Sequence, residues 1–280
     1  MNDSILIRNE NELNEKIAKI RKDGVSHLHV VSDFDRTLTP AFVRGQKTPT
    51  GIAQIREGGY LTPEYPAQAH ALFDKYHPIE ISETIPQEEK NRMMVEWWNS
   101  HLSLIVASGL NKEVIDDIVN KGRIHYRQGT KSFFETLAKH RIPLLIFSAG
   151  VGDLIEDSLK FEKFYHSNIH IISNFFDFDA NGVAKGYKGA VIHTFNKNEG
   201  QVKNSPYYKQ IQGRKNTILL GDSLGDTTML EGLVHETIIK IGFLNENIEE
   251  QRVKFEKEYD VVILNDGSFS YINGLIKRII

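Results

Sequence analysis

Apolar residues recur along this chain of 280 residues in two patterns that alternate. Short, nearly continuous apolar runs are typical of strands that are covered on both faces, and longer stretches with helical spacing are typical of helices packed against a sheet. The strand-like runs cover residues 27–31, 142–147, 169–174, 217–221, 238–244 and 260–264, and the helical stretches cover residues 12–22, 130–140, 152–160 and 226–233. This alternation predicts an α/β fold with a mostly parallel sheet and helices on both faces.

The pattern changes between residues 41 and 124. Residues 41–60 are rich in Gly, Thr and Pro, which indicates an extended loop. Three helical stretches follow without a convincing strand between residues 41 and 121, and they cover residues 66–76, 87–106 and 111–121. We therefore expect residues 1–40 and 125–280 to form the core and residues 41–124 to form a helical insert.

Composition and charge narrow the classes of function. The chain has no cysteine, which excludes disulfides, thiolate metal sites and a cysteine nucleophile. Its formal net charge of -3 offers no broad basic field for a nucleic-acid polymer, although a local pocket can still hold a small anion. Because we find neither a signal peptide nor an apolar run of membrane-spanning length, we expect a cytoplasmic protein without a membrane partner. Protein partners stay open.

Reactive side chains follow three of the predicted strands. Asp33 and Asp35 follow the first, Ser148 follows the second, and Asp222 follows the third, with Asp226 one turn further on. The carboxyl ends of parallel strands meet at one edge of a sheet, so these side chains should lie together. Carboxylate oxygens suit Mg²⁺, and a cluster of like charges requires a counter-ion.

The types and spacing of these residues suit phosphoryl transfer. Asp33 and Asp35 would share one face of an extended strand, so one can act as nucleophile while the other handles protons. Ser148 stands before a glycine turn and a helix start, where free backbone N–H groups bind anions; a serine that caps the helix would use the same groups. Phosphoryl transfer depends chiefly on charge neutralisation and positioning, which a lysine would complete.

The motifs DFDRT, FSAG, a lysine and GDSLGD, in that order, resemble the four motifs of the haloacid-dehalogenase (HAD) superfamily. The chain is still more similar to the cytosolic pyrimidine 5′-nucleotidase family, whose signature stretches resemble residues 94–101, 142–153, 173–189, 192–200 and 219–226. The resemblance begins near Val30, extends to the C-terminus and is weakest over residues 41–65. It implies a Rossmann-like doubly wound parallel sheet as the HAD core, with the helical insert as a cap over a nucleotide.

The resemblance also implies catalytic and metal-binding roles. Asp33 would be the nucleophile that becomes phosphorylated. Asp35 would protonate the leaving 5′-oxygen and then activate water. Mg²⁺ would be held by Asp33, by the backbone carbonyl of Asp35 and by Asp222, with Asp226 orienting the metal shell.

A phosphate site is implied by the same comparison. Ser148 and Ala149 would bind the phosphate. Several lysines stand in the right part of the chain, and order alone does not choose among Lys185, Lys188, Lys197 and Lys203. The NKNEG context identifies Lys197 as the motif lysine, which would act in catalysis and in phosphate binding.

Contacts to the base are implied in the cap. Glu80 and Ser100 match positions that contact the base in the family. A carboxylate can accept hydrogen bonds from amino or imino groups of a base, and an acid at the start of a helix can also serve only the helix dipole. The adjacent Trp97 and Trp98 favour the cap core, although one of the two could face the cleft.

Residues 177–182 repeat the Asp-Phe-Asp sequence and resemble the start of a calcium-binding EF-hand loop. The twelfth position of such a loop should be a bidentate glutamate, and here it is Lys188. We therefore interpret this stretch as a hairpin with Asn181-Gly182 in its turn.

Three functions stay open on the sequence. The first is hydrolysis of nucleoside 5′-monophosphates, with UMP and CMP favoured and 7-methyl-GMP as a further candidate, and with transfer to another nucleoside as a variant. The second is a phosphatase for a sugar phosphate or another small phosphometabolite, because the core motifs do not determine the substrate. The third is a non-catalytic nucleotide-binding protein on the same scaffold.

Overall fold

The computed structural model describes residues 5–82, 84–198, 202–203 and 205–280. Seven strands form the central sheet, in the order β1-β11-β10-β9-β2-β5-β6, and only β1 is antiparallel to its neighbour. In chain order the strands are β1 (Ile5–Ile7), β2 (Leu28–Ser32), β3 (Phe42–Val43), β4 (Gln46–Lys47), β5 (Leu144–Val151), β6 (Ile169–Asn174), β7 (Phe176–Phe178), β8 (Ala184–Tyr187), β9 (Asn216–Gly221), β10 (Thr237–Leu244) and β11 (Val261–Leu264).

In the part of the chain that the structure describes, ten α-helices accompany the strands, and not all of them lie on the central sheet. They are α1 (Glu10–Asp23), α2 (Gly51–Glu57), α3 (Tyr65–Ile81), α4 (Gln87–Ala107), α5 (Lys112–Asn120), α6 (Thr130–Lys139), α7 (Gly152–Phe161), α8 (Pro206–Ile211), α9 (Ile248–Glu258) and α10 (Ser270–Ile279). Within the described ranges, no helix is both long enough and apolar enough to cross a bilayer.

Both faces of the sheet are covered, as the apolar runs predict. Successive side chains of a strand point to opposite faces. On β2, Val30 packs into one apolar cluster and Val31 into another, and Leu144 and Leu145 divide in the same way on β5. The prediction of an α/β fold with a doubly wound parallel sheet is therefore confirmed.

Two predictions for residues 41–60 are wrong. In place of an extended loop without strands, the segment forms the hairpin β3–β4 and the helix α2. Arg44 and Gly45 have φ angles of 52° and 78°, which allows the tight two-residue turn of a hairpin. Arginine is not a usual residue for this turn, so the local sequence does not indicate a hairpin. The hydroxyl of Thr50 accepts a hydrogen bond from the N–H of Ala53 and caps α2.

Two smaller expectations have different outcomes. The helix expected from Asp226 is instead a 3-10 turn, Leu224–Leu230, which begins before that residue. The hairpin expected at residues 177–182 is present, because β7 pairs with β8 and the carboxylate of Asp179 accepts from the N–H groups of Asn181 and Val183.

Helices α3 and α4 pack together around a small cluster formed by Tyr76, Met94 and Trp97. Helix α5 packs against α7, next to the sheet. The division into a core of residues 1–40 and 125–280 and a cap of residues 41–124 stays a prediction.

Candidate active site

Two neighbouring strands bring the first acids together. Strands β2 and β9 are parallel neighbours at the centre of the sheet, and Asp33 and Asp222 directly follow them. The N–H of Asp33 donates to the carbonyl of Leu220 at 3.0 Å, so the pairing extends to the first acid. Apolar strands that are buried on both faces thus end where the acids begin.

A compact charged cluster lies at this edge. Asp33, Asp222 and Asp226 each offer a carboxylate oxygen, and these oxygens lie within 4.8 Å of one another. The Nζ of Lys197 is 2.7 Å from Oδ1 of Asp33 and 2.8 Å from Oδ1 of Asp226. Asp33 and Lys197 are each only 6% exposed. Three carboxylates and one ammonium group leave an excess of two negative charges, which a divalent cation would balance.

Burial and crowding shift the pKa values of this cluster. Burial raises the pKa of Asp33 to about 7; Lys197 opposes the rise and Asp226 adds to it. Burial, together with Asp226 and Asp33, raises the pKa of Asp222 well above its ordinary value. Burial alone would lower the pKa of Lys197, but the carboxylates of Asp226 and Asp33 outweigh it and raise that pKa. The metal-free cluster therefore holds protons tightly. A bound cation would take the place of these protons.

Asp226 is engaged on both carboxylate oxygens. Its Oδ2 accepts from the N–H of Asp222 at 3.1 Å and from the N–H and the hydroxyl of Ser223 at 2.9 Å each, while its Oδ1 accepts from Lys197. These contacts hold the backbone that carries Asp222. The geometry therefore suits Asp226 to orienting the site and leaves the carboxylates of Asp33 and Asp222 better placed for direct contact with a metal ion.

Asp35 and Ser148 face each other across Gly150. A methyl group added at Gly150 would lie 3.2 Å from the Oγ of Ser148 and 3.3 Å from Oδ2 of Asp35. The Oγ of Ser148 accepts from the N–H of Gly150 at 3.0 Å, which leaves its proton available to a phosphate oxygen. Burial raises the pKa of Asp35, against a hydrogen bond from the N–H of Gly51. A raised pKa suits a proton donor.

The carbonyl of Ala149, near the end of β5, contacts helix α4 and strand β6. It accepts from the indole Nε1 of Trp98 at 3.0 Å and from Nδ2 of Asn174 at 2.8 Å. Asn174 also bonds both backbone groups of Ile192, on the segment that carries Lys197. Of the two tryptophans, Trp98 thus reaches the core, whereas Trp97 belongs to the cap cluster. The positioning role of Asn174 had no sequence signal beyond its place in a signature stretch.

Glu80 and Ser100, on α3 and α4, have different surroundings. The Oε1 of Glu80 accepts from the hydroxyl of Thr194 at 2.7 Å, on the same segment as Lys197. Its carboxylate is therefore brought to the core. The hydroxyl of Ser100 donates to the carbonyl of Glu96 at 2.7 Å within its own helix, which is the common arrangement for a serine inside a helix.

Of the NKNEG context that identifies Lys197, residues 199 and 200 lie outside the described residues.

Sequence reasoning missed Arg127, which is 4% exposed and holds the loop after Asp33. Its guanidinium donates to the carbonyls of Thr37 at 2.8 Å and Gly267 at 2.9 Å and to the carbonyl of Arg36. It also lies 2.7 Å from Oδ1 of Asp266. A lone arginine before a helix has no pattern that predicts such contacts.

A cleft of about 500 Å³, the cap cleft of the predicted cap, lies between α2 and the helices α3 and α4. Its walls are largely apolar and aromatic, and three cationic side chains also line it. The aromatic side chains are Phe73, Trp97, Trp98 and His101, and the cationic ones are Arg36, Lys47 and Arg56. A flat ring and a phosphate are the two ligand groups that such a lining suits.

Comparison with known proteins agrees with this fold. A HAD family hydrolase from Salmonella enterica superposes with a TM-score of 0.56 at 15% identity, over 90% of this chain and 71% of that one. A phosphoserine phosphatase superposes with a TM-score of 0.52 at 16% identity, over 88% and 95% of the two chains. The fold is that of the HAD hydrolases, as the motifs imply.

More similar proteins identify the family. A family model described as pyrimidine 5′-nucleotidase matches residues 36–280. The 7-methylguanosine phosphate-specific 5′-nucleotidases of Mus musculus and Homo sapiens are each 39% identical, over 100% of this chain and 94% of theirs. The structure of cytosolic 5′-nucleotidase IIIB bound to cytidine superposes with a TM-score of 0.89 at 30% identity, over 100% and 94% of the two chains. The chain belongs to the pyrimidine 5′-nucleotidase family and is a phosphoric monoester hydrolase.

We expect the metal-free protein to lose stability as the pH rises from about 4 to about 7. The pKa of Asp33 is raised from 3.8 to about 7, so in this window the folded state keeps a proton that the unfolded state releases. Mg²⁺ would bind the ionised carboxylates, so its stabilising effect should be largest above pH 7, at about 2.7 kcal/mol when its concentration is a hundred times Kd. Thermal unfolding at several pH values, with Mg²⁺ and with EDTA, measures both effects. An equal effect of Mg²⁺ at pH 5 and pH 8 would contradict the expectation.

Proposed function

We propose that this protein hydrolyses nucleoside 5′-monophosphates through a phosphoaspartate on Asp33, with Mg²⁺ as cofactor. The observation that supports it best is the buried contact of Lys197 with both Asp33 and Asp226, next to Asp222. This arrangement combines a nucleophile, a cation for the phosphate and oxygen ligands for a metal ion at one sheet edge.

The first step forms a bond between a carboxylate oxygen of Asp33 and phosphorus and breaks the bond from phosphorus to the 5′-oxygen. Asp35 donates its proton to that oxygen as the nucleoside leaves. Ser148, the N–H of Ala149 and Lys197 would hold the phosphate oxygens in line. Bound Mg²⁺, held by Asp33, the carbonyl of Asp35 and Asp222, would supply charge neutralisation.

The second step regenerates the enzyme. Asp35, now ionised, takes a proton from water, and the water oxygen attacks phosphorus. The bond between phosphorus and Asp33 breaks, and inorganic phosphate is released. Both steps use the same two carboxylates, which agrees with their short separation along the chain.

The cap cleft would take the nucleoside. Its aromatic lining suits a flat base, and Glu80, which does not itself line the cleft, lies two helical turns after Phe73 on α3. The base of 7-methyl-GMP carries a positive charge, which aromatic faces and a carboxylate both attract. The names of the relatives point the same way, so we propose 7-methyl-GMP as the leading substrate, with CMP and UMP also accepted. Residues 41–124 would act as the cap. The name of cytosolic 5′-nucleotidase IIIB calls that relative cytosolic, and we propose the same location for this chain.

The experiment that tests the function is phosphate release from a panel of nucleotides and sugar phosphates, with Mg²⁺ and with EDTA. We expect release in Mg²⁺ from 7-methyl-GMP, CMP or UMP and none in EDTA. Release mainly from a sugar phosphate would favour the second function. Tight nucleotide binding without release would favour a non-catalytic protein.

Glu80→Ala should raise the KM for the preferred nucleotide by about tenfold, the equivalent of 1.4 kcal/mol of lost contact, and leave a simple aryl phosphate nearly unaffected. The reason is that only the nucleotide presents a base to the Glu80 carboxylate. Steady-state kinetics on both substrates measure the difference. Glu88→Ala, which removes a carboxylate from the exposed first turn of α4, is the matched control. An equal loss on both substrates would instead indicate that Glu80 acts through its contact with Thr194 and not through the base.

A further inference from the structure

A second cleft, of about 880 Å³, lies beside the cap cleft. The two clefts share residues 47–49 and Glu57 in their linings. The charged lining of this second cleft is mostly basic, with one carboxylate, that of Glu57. The basic side chains are Arg44, Lys47, Lys121 and Arg123, with His125 beside them. On a chain with a net charge of -3, this is a local concentration of positive charge.

Two of these cations are already neutralised. Lys47 pairs with Glu246 at 2.8 Å, and Lys121 pairs with Asp117 at 2.7 Å. Arg44 and Arg123 form no ion pair with the residues that the structure describes, and the guanidinium of Arg123 lies 5.6 Å from the centre of the Tyr60 ring. Two guanidinium groups therefore remain for an anion.

Arg44 stands at the tip of the hairpin β3–β4. Its φ angle of 52° lies in the left-handed region, at a turn position that Asn, Asp or Gly would occupy with less strain. Arginine at the tip of the hairpin places a cation at the cleft. The turn itself does not require a cationic residue.

The inner wall adds unsatisfied hydrogen-bonding groups. The Oγ1 of Thr48 and the Oε1 of Gln54 are buried and lack hydrogen-bond partners among the described residues. Gln54 is 5% exposed, and its Nε2 donates to the carbonyls of Pro49 at 3.4 Å and Arg123 at 3.2 Å. The hydroxyl of Thr48 could donate to a phosphate oxygen, whereas the amide oxygen of Gln54 only accepts and would need a donor such as an ordered water. Buried groups of this kind call for a ligand or an ordered water.

We propose that this cleft is a second phosphate-binding site, separate from the catalytic one, in which Arg44 and Arg123 bind the phosphate oxygens. Guanidinium groups match the geometry of phosphate and form charge-assisted hydrogen bonds with it. The source of the phosphate is either inorganic phosphate or the phosphate groups of a second nucleotide. Binding is measured without turnover, so the inference stands or falls separately from the proposed function.

Equilibrium dialysis with labelled inorganic phosphate in Mg²⁺ tests the site. We expect two binding sites in the unchanged protein and one in the double variant Arg44→Glu/Arg123→Glu, with the Kd of the remaining site changed less than twofold. Lys139→Glu, on the exposed side of α6, is the charge-reversal control and should keep both sites. The milder Arg44→Gln/Arg123→Gln variant should weaken the second site at least tenfold. A single site in the unchanged protein, or two sites in both double variants, would overturn the proposal.

Competition identifies the source of the phosphate. Pyrophosphate and ADP are each used to displace labelled phosphate from the site that the double charge-reversal variant lacks. Displacement by ADP at a concentration at least tenfold lower than that of pyrophosphate assigns the site to a nucleotide, and equal displacement assigns it to phosphate alone. Displacement by neither would overturn phosphate recognition.

Discussion

Asp33→Asn should abolish turnover, with kcat lowered by roughly 10⁴-fold or more, because an amide cannot form the phosphoaspartate. The fold should survive the change. Asp33 is buried with a pKa raised to about 7, so a neutral side chain of the same shape suits its surroundings in the metal-free protein. Phosphate release measures the first effect, and thermal unfolding in EDTA measures the second.

The chain contains its own control for this variant. Asp177 begins a second Asp-Phe-Asp sequence, but it is exposed on the short strand β7. Asp177→Asn makes the same chemical change in the same local sequence, and we expect it to leave kcat within about twofold, as for a surface substitution away from the site. If Asp33→Asn kept substantial activity, Asp33 would lose the nucleophile role.

Arg127→Met should lower the free energy of unfolding by about 3–5 kcal/mol, which is the usual cost of breaking a buried ion pair. The change would leave the carboxylate of Asp266 without its guanidinium partner. It would also leave the carbonyls of Arg36, Thr37 and Gly267 without donors. Since two of these carbonyls belong to the loop after Asp33, activity should also fall. Denaturant unfolding of both proteins measures the stability.

An exposed ion pair provides the comparison for the buried ion pair of Arg127. Arg252 pairs with Glu256 one turn along α9, with its side chain 48% exposed, and Arg252→Met should cost at most about 1 kcal/mol. Arg127→Lys, which keeps the charge but not the forked donor geometry, should fall between the two. Equal stabilities for Arg127→Met and Arg252→Met would remove Arg127 from its anchoring role.

The outcome for residues 41–60 shows where local patterns fail. A two-residue hairpin turn is recognised by Asn-Gly or Asp-Gly, and here Arg44-Gly45 occupies it. The hairpin is held by contacts that are distant in sequence, because the carboxylate of Asp266 accepts from the N–H groups of Ala41 and Phe42. A partner more than two hundred residues away leaves no trace in the local sequence.

The sequence by itself determined the parts that depend on neighbouring residues. Apolar runs specify buried strands because both of their faces are covered, and Asp33 and Asp222 lie at the strand ends because they follow those runs directly. The order of the four motifs indicated the HAD fold, and the longer signature stretches indicated the nucleotidase family. Order did not choose among the four lysines on physical grounds.

Only the tertiary structure decided which distant groups meet. Lys197 lies between Asp33 and Asp226 because the segment after β8 returns to the sheet edge. There the buried ammonium and carboxylate groups stabilise each other's charge. The engagement of both oxygens of Asp226, the anchoring by Arg127 and the basic cleft beside Arg44 likewise combine segments far apart in the chain. Such contacts depend on the packing of whole elements, which no local pattern encodes.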